Sequence, residues 1–190
     1  MLLLVGLGNP GSNYTNTRHN IGFKIIDAIN VHFKLSKQKP KFKGLLTTGN
    51  IDEKKIYAIK PLTFMNNSGT AIKELIDYFK IDAKNVFVFH DDMDIDFGKI
   101  KAKFGGSSAG HNGIESIDKF IGKDYSRVRI GIGHPKQKKK VNNHVLEDFK
   151  EDDEEKINEI TDNIVKQLPT LIEKKIDLFS SKVNQDLNGI

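Results

Sequence analysis

The sequence of 190 residues contains no cysteine. This absence excludes disulfide bonds, thiolate metal sites and a catalytic cysteine, and it fits a reducing compartment. The longest apolar run, Met1–Leu7, is too short to span a bilayer. No basic stretch precedes this run, so we expect no secretory signal and a soluble cytoplasmic protein.

Arginine is scarce, since only three of the 30 basic residues are arginines: Arg18, Arg127 and Arg129. Where lysine dominates this strongly, an arginine hints at a planar or bidentate contact.

Charge is also unevenly placed, because residues 1–146 carry a net +11 and residues 147–190 a net −6. A basic body suggests a polyanionic partner such as nucleic acid, although lysines on solvated helix faces would give the same composition.

Apolar periodicity predicts strands interleaved with helices. Strands are predicted at residues 2–7, 45–48, 55–60, 86–90, 98–104 and 127–133, and helices at 20–33, 70–80, 113–121 and 151–176. This alternation favours a single α/β domain over residues 1–190, with a twisted, mostly parallel sheet, one antiparallel pair and flanking helices. After the charged amphipathic helix at 151–176, the chain is polar and is expected to fray.

Polar side chains follow several predicted strands, at the edge where open α/β sheets bind ligands. An imidazole at this edge can act as a general base near neutral pH, and a carboxylate can orient it. Asparagine amides can hold a water molecule, bind a peptide backbone or stabilise an oxyanion. Any single asparagine is more often a turn or cap residue, but the convergence of these groups on one edge predicts a water-activating site. The residues concerned are Asn9, His19, Asn66, Asp91, His111 and Asn112.

Two motif matches fail on their context. Gly6–Gly11 fits the dinucleotide-binding pattern, but the helix begins about nine residues too late and Pro10 lacks an N–H where a phosphate would need one. The acidic run Asp91–Asp96 suggests a calcium loop, but Phe97 and Lys103 stand where that loop needs glycine and glutamate. We therefore expect no nucleotide cofactor and no metal site.

Two alternatives to a water-activating enzyme stay open. Gly106–Gly110 fits a nucleophile elbow with Ser108 as the nucleophile of a serine esterase, although the preceding strand is rich in lysine and only about 80 residues follow. A non-enzymatic RNA-binding protein would use the basic cluster for phosphate contacts that do not read sequence. That cluster comprises Lys99, Lys101, Lys103, Arg129, Lys136, Lys138, Lys139 and Lys140.

Five sequence blocks stand in order along the chain. They are Gly6-Leu-Gly-Asn-Pro-Gly11 with Tyr14, Thr17-Arg-His-Asn20 and Gly22-Phe23; Thr63-Phe-Met-Asn66 with Ser68-Gly69; His90-Asp-Asp92; Gly110-His-Asn-Gly113; and Arg129-Ile-Gly-Ile-Gly-His-Pro135. Together they cover roughly residues 2–148 and resemble the signature of the bacterial-type peptidyl-tRNA hydrolases. One departure is Ala109, where members of that family commonly have glycine.

The resemblance implies hydrolysis of the ester that joins a peptide to the 3′ ribose of tRNA, by a cytoplasmic monomer that needs no cofactor or metal. Such a reaction recycles tRNA from prematurely released peptidyl-tRNA. The resemblance implies that His19 is the catalytic base and that Asp91 orients it. The other implied roles are peptide or water binding by Asn9 and Asn66, oxyanion stabilisation by Asn112, substrate contacts by Tyr14, Met65 and His111, and phosphate contacts by Lys103, Arg129 and Lys138.

Overall fold

A mixed sheet organises the chain in the computed structural model, which describes residues 1–135 and 141–188. Its strands are β1 (Leu2–Gly6), β2 (Lys39–Lys41), β3 (Gly44–Ile51), β4 (Lys54–Pro61), β5 (Val86–Asp92), β6 (Ile100–Phe104) and β7 (Ser126–Gly131). They lie side by side in the order β2-β3-β4-β1-β5-β7-β6. The prediction of one α/β domain around a mixed sheet is confirmed, and β2 is a strand that the sequence analysis missed.

Four central strands, β4, β1, β5 and β7, run parallel, so their carboxyl ends meet at one edge of the sheet. The pairs β2–β3, β3–β4 and β6–β7 are antiparallel. The expectation of a single antiparallel pair was therefore wrong within the described residues. The central position of β1 explains its unbroken apolar sequence, because a strand covered on both faces has no solvent-facing side.

The helices cover both faces of this sheet. They are α1 (Ile21–His32), α2 (Ser68–Phe79), α3 (Asn112–Ile121), α4 (Val141–Leu146), α5 (Glu151–Ile172) and α6 (Ile176–Asn188). Successive strand residues point to opposite faces, so Leu4 belongs to the core cluster that includes α1, α5 and α6, whereas Leu3 belongs to the cluster that includes α2 and α3. Over residues 1–135 and 141–188, none of the helices has both the length and the apolar character needed to cross a membrane.

The carboxyl-terminal helix α6 was not predicted. The expected fraying tail is instead a helix whose Phe179, Val183 and Leu187 are buried against the core. The Asn184 side chain accepts a hydrogen bond from the Ile100 N–H at 3.0 Å and donates one to the Ile100 carbonyl at 2.9 Å. Helix α6 therefore supplies partners to backbone groups of β6, an edge strand that would otherwise expose them.

Replacing Asn184 with alanine is expected to lower the free energy of unfolding by about 1–3 kcal/mol, because two partly buried backbone groups lose their partners. Urea denaturation followed by circular dichroism measures this change. Gln185→Ala, at the next and exposed position of α6, is the matched control. Equal losses in the two variants would show that the Asn184 contacts do not contribute to stability.

Candidate active site

One oxygen of Asp91 joins two loops at the carboxyl edge of the sheet. Asp91 is buried at the end of β5, and its Oδ1 lies 2.7 Å from His19 Nδ1 and 3.0 Å from His111 Nε2. His19 sits in a short 3₁₀ turn directly before α1, and His111 directly precedes α3. The prediction that His19 and Asp91 meet at this edge is thus realised, and His111 belongs to the same cluster.

Electrostatics fix the protonation of this cluster. Burial acts to raise the pKa of Asp91, but the neighbouring His19 and His111 outweigh it and hold that pKa well below its usual range. The carboxylate is therefore ionised at neutral pH and only accepts hydrogen bonds. Each imidazole must then present a protonated nitrogen to Asp91, which leaves the Nε2 of neutral His19 without a proton.

The position of the proton on His111 follows from the hydrogen bonds at its other ring nitrogen, Nδ1. Its Nδ1 accepts hydrogen bonds from the backbone N–H groups of Gly113 and Ile114, at 3.1 and 3.3 Å, and so caps α3. A nitrogen that accepts from two N–H groups carries no proton, so the ring proton of His111 lies on Nε2, which faces Asp91. This imidazole therefore donates to Asp91 and caps α3, whereas none of the described hydrogen bonds occupies Nε2 of His19.

Asn9 is held by two neighbouring elements. Its side-chain Oδ1 accepts the Met65 N–H at 2.8 Å. The Asn20 amide binds both the N–H and the carbonyl of Asn9, at 2.8 and 2.9 Å. Because Oδ1 is already engaged, Nδ2 of Asn9 is the atom left to donate to a ligand. Sequence reasoning placed Asn20 in a family block but gave it no role; the structure shows that it orients Asn9.

A cavity of about 100 Å³ opens beside the imidazoles. It is lined by His19, Asp91, Ser108, His111, Asn112 and Val145, among others. Other predicted substrate contacts do not line this cavity. Asn9 borders a separate groove, and Asn66 is exposed in the turn before α2. The Tyr14 ring contacts the Phe64 ring edge to face. The predicted set is therefore divided between this cavity and the surfaces near it.

Comparison with known proteins identifies the family. The family model described as peptidyl-tRNA hydrolase matches residues 3–189. The chain belongs to the peptidyl-tRNA hydrolase family. A peptidyl-tRNA hydrolase of Pelagibacter ubique (strain HTCC1062) is 71% identical over 184 residues, which cover 97% of this chain and 99% of the relative. The resemblance found in the five sequence blocks is thus confirmed.

More distant relatives cover the chain equally well. A peptidyl-tRNA hydrolase of Ehrlichia ruminantium (strain Welgevonden) is 47% identical, covering 95% of this chain and 93% of the relative. The crystal structure of peptidyl-tRNA hydrolase from Acinetobacter baumannii superimposes with a TM-score of 0.90 at 34% identity, covering 97% of this chain and 94% of that one. The similarity therefore includes the region of α5 and α6, which lies beyond the five sequence blocks.

The cluster around Asp91 could in principle hold a metal ion in this peptidyl-tRNA hydrolase family member. His19, Asp91 and His111 each offer a ligand atom, and these three atoms lie within 4.8 Å of one another. The two hydrogen bonds to Asp91 already account for this close approach, because each imidazole proton has its acceptor. The absence of a metal remains a prediction.

Two of the predicted phosphate ligands lie on the paired strands β6 and β7. The Nε of Arg129 donates to Asp92 Oδ2 at 2.7 Å, which orients the guanidinium next to the cavity residue Asp92. Partial burial, together with the charges of Arg129 and Arg127, lowers the pKa of Lys103. The third predicted ligand, Lys138, and the rest of the Lys136–Lys140 run lie outside the described residues.

The serine-esterase alternative gains no geometric support. Ser108 lines the cavity. Among the described hydrogen bonds, however, none joins its hydroxyl to His19 or His111, whose imidazoles both bind Asp91. A nucleophilic serine needs an adjacent base within hydrogen-bond reach. Ser108 instead contributes its backbone carbonyl, which accepts the His111 N–H at 2.9 Å.

His90 predicts a pH dependence of stability. It is buried, its Nδ1 donates to the Asp91 carbonyl at 2.8 Å, and burial lowers its pKa well below 6.5. The unfolded chain takes up this proton near pH 6.5 and the folded chain does not, so the free energy of unfolding falls as the pH drops below 6.5. We expect His90 to contribute about 1 kcal/mol to the fall over the first unit below that value.

Urea denaturation between pH 7.5 and 5 tests this expectation. The His90→Gln variant should show a shallower fall in the free energy of unfolding than the unchanged protein. The control is His32→Gln, at an exposed position of α1. If the His90→Gln and unchanged curves are parallel, His90 does not take up a proton on unfolding.

Proposed function

We propose that this chain hydrolyses peptidyl-tRNA by means of a water molecule that His19 activates, with no covalent intermediate. Membership of the family gives the reaction class: the chain is a hydrolase that acts on the ester bond of peptidyl-tRNA. The observation that carries the mechanism is the double hydrogen bond to Asp91, which leaves Nε2 of His19 as a free base beside the cavity. An ester is easier to cleave than an amide, so an activated water suffices.

The proposed reaction starts when His19 Nε2 takes a proton from water as the oxygen adds to the ester carbonyl. Asp91 stabilises the imidazolium that forms, as the carboxylate does in a catalytic triad. The amide of Asn112 donates to the developing oxyanion, aided by its position at the start of α3. The imidazolium then returns the proton to the 3′ oxygen of the ribose, which leaves as the tetrahedral intermediate collapses.

Substrate selection follows from the surroundings of this centre. The free Nδ2 of Asn9 donates to a carbonyl of the peptide part, and Asn66, Met65 and Tyr14 contact the peptide or the terminal adenosine. An unblocked aminoacyl-tRNA carries a charged ammonium, which would lose its solvation in the cleft without gaining a partner. Cleavage is therefore proposed to favour the blocked substrate.

We propose further that the active form is a cytoplasmic monomer in which residues 1–190 act as one unit without a metal or cofactor. The tRNA phosphates contact Lys103 and Arg129, whose side chains extend from adjacent strands. Lys138 is proposed as a third phosphate contact on the strength of the sequence alone. These contacts fix the position of the tRNA and do not read its sequence.

Replacing His19 with asparagine is expected to lower kcat by about 10²–10⁴-fold or more, because the general base is lost, while tRNA binding stays nearly intact. The assay measures cleavage of N-acetyl-aminoacyl-tRNA and, in parallel, of free aminoacyl-tRNA. His32→Asn, on the exposed face of α1, and Ser108→Ala are the controls. Substantial turnover by His19→Asn contradicts the general-base role, and loss of activity in Ser108→Ala favours the serine esterase.

Replacing Lys103 with alanine is expected to raise KM and to leave kcat nearly unchanged, because the side chain contacts phosphate away from the ester. The dependence of KM on salt should weaken by about one released counterion. Lys39→Ala removes the same charge from β2, at the opposite edge of the sheet, and serves as the matched control. A similar rise in KM for both variants would mean that net charge, rather than a contact at Lys103, determines binding.

A further inference from the structure

The loop of residues 105–111 forms one wall of the catalytic cavity, yet its own sequence does not fix its path. Gly105, Gly106 and Gly110 have positive φ angles, which glycine adopts without strain but also leaves easily. Ala109 has φ 48°, a left-handed conformation that is unfavourable for alanine. Contacts from outside the loop must therefore hold it in place.

Arg127 provides such a contact from the interior of the protein. It lies on β7, and its side chain is 1% exposed. One end of its guanidinium, Nη1, donates to the Ser107 carbonyl at 2.8 Å, and the other, Nη2, donates to Asp118 Oδ1 at 2.8 Å. The Tyr125 hydroxyl donates to the same oxygen at 2.8 Å. The guanidinium thus ties β7 to the loop and to α3 at once.

The Ser107 carbonyl lies between two other hydrogen-bonded positions of the loop. Before it, Gly105 is tied to the body by a hydrogen bond from its N–H to the Tyr125 carbonyl. After it, the Ser108 carbonyl accepts the N–H of His111, and His111 donates to Asp91. A displacement of Ser107 would therefore be passed to His111 and to the cavity wall.

We propose that Arg127 is a positioning residue of the reaction, which holds the 105–111 loop through the Ser107 carbonyl and thereby sets His111 against Asp91. Arg127 does not line the cavity and touches none of the reacting atoms. Its planar fork is what allows one side chain to reach two acceptors on different elements. The proposal rests on the function proposed above, because it assigns Arg127 an effect on the His19–Asp91 centre.

The test compares Arg127→Lys with two variants that disturb the same network but leave the Ser107 contact in place. Lysine keeps the positive charge beside Lys103 and Asp118, but a single ammonium lacks the planar fork that serves both acceptors. Asp118→Asn removes the charge that balances Arg127, and Tyr125→Phe removes only the hydroxyl. Steady-state kinetics on N-acetyl-aminoacyl-tRNA, run well below the melting temperature of each variant, give kcat and KM separately.

The expected result is a fall in kcat of about 10- to 100-fold for Arg127→Lys with little change in KM, because misplacement of catalytic groups by about an ångström has effects of this size. Amide hydrogen exchange in residues 105–111 should accelerate in this variant. Asp118→Asn and Tyr125→Phe should keep most of kcat and a protected loop, even where their stability falls.

Three outcomes would overturn the proposal. The first is a folded Arg127→Lys protein with kcat close to that of the unchanged protein. The second is an equal loss of kcat in Arg127→Lys and Asp118→Asn. The third is that Arg127→Lys and Arg127→Gln both fail to fold while the two other variants fold, since the role is then structural. His19→Asn, assayed alongside, shows separately whether the proposed mechanism itself fails.

Discussion

The site depends on one buried carboxylate oxygen that accepts hydrogen bonds from two imidazoles. Asp91 Oδ1 joins His19, which precedes α1, to His111, which precedes α3. These helices pack on opposite faces of the sheet, so the contact links both layers at the strand ends. A buried carboxylate is stable only with such partners, and the partners in turn gain a fixed tautomer. The interaction therefore serves stability and chemistry together.

The loops around this oxygen are held by arginines, which are rare in the sequence. Arg18 donates through Nη1 to the carbonyls of His144 and Glu147, at 3.1 and 3.2 Å. Arg127 binds the glycine-rich loop, and Arg129 binds Asp92. The expectation of a planar or bidentate contact is confirmed for Arg127, which uses both Nη groups. In the described hydrogen bonds Arg18 and Arg129 each use a single nitrogen. Lysine, with a single ammonium group, is less suited to bridging two fixed acceptors.

Many of the strands and helices could be predicted from the sequence, because the apolar patterns that indicate them extend over only a few neighbouring residues. The apolar run at residues 2–7 predicted a strand, which the structure places at the centre of the sheet as β1. The lysine-rich segment 98–104 also predicted a strand, and it forms the edge strand β6. Helix α6 was missed, although Phe179, Val183 and Leu187 recur at helical spacing. The polar residues between them masked this pattern, and Asn184 has its partners in a strand 84 residues away. A contact between residues so far apart leaves no recognisable pattern in the sequence around either of them.

The sequence by itself determined the secondary elements with strong apolar periodicity, the types of residue available for chemistry, and the ordered blocks that indicate the family. Only the tertiary structure decided which nitrogen of each imidazole carries a proton, which atom of Asn9 is free, and what holds the glycine-rich loop. The reason is distance along the chain: His19 and Asp91 are separated by 72 positions, and Ser107 and Arg127 by 20. Hydrogen bonds between such residues form only once the sheet has brought its strand ends together.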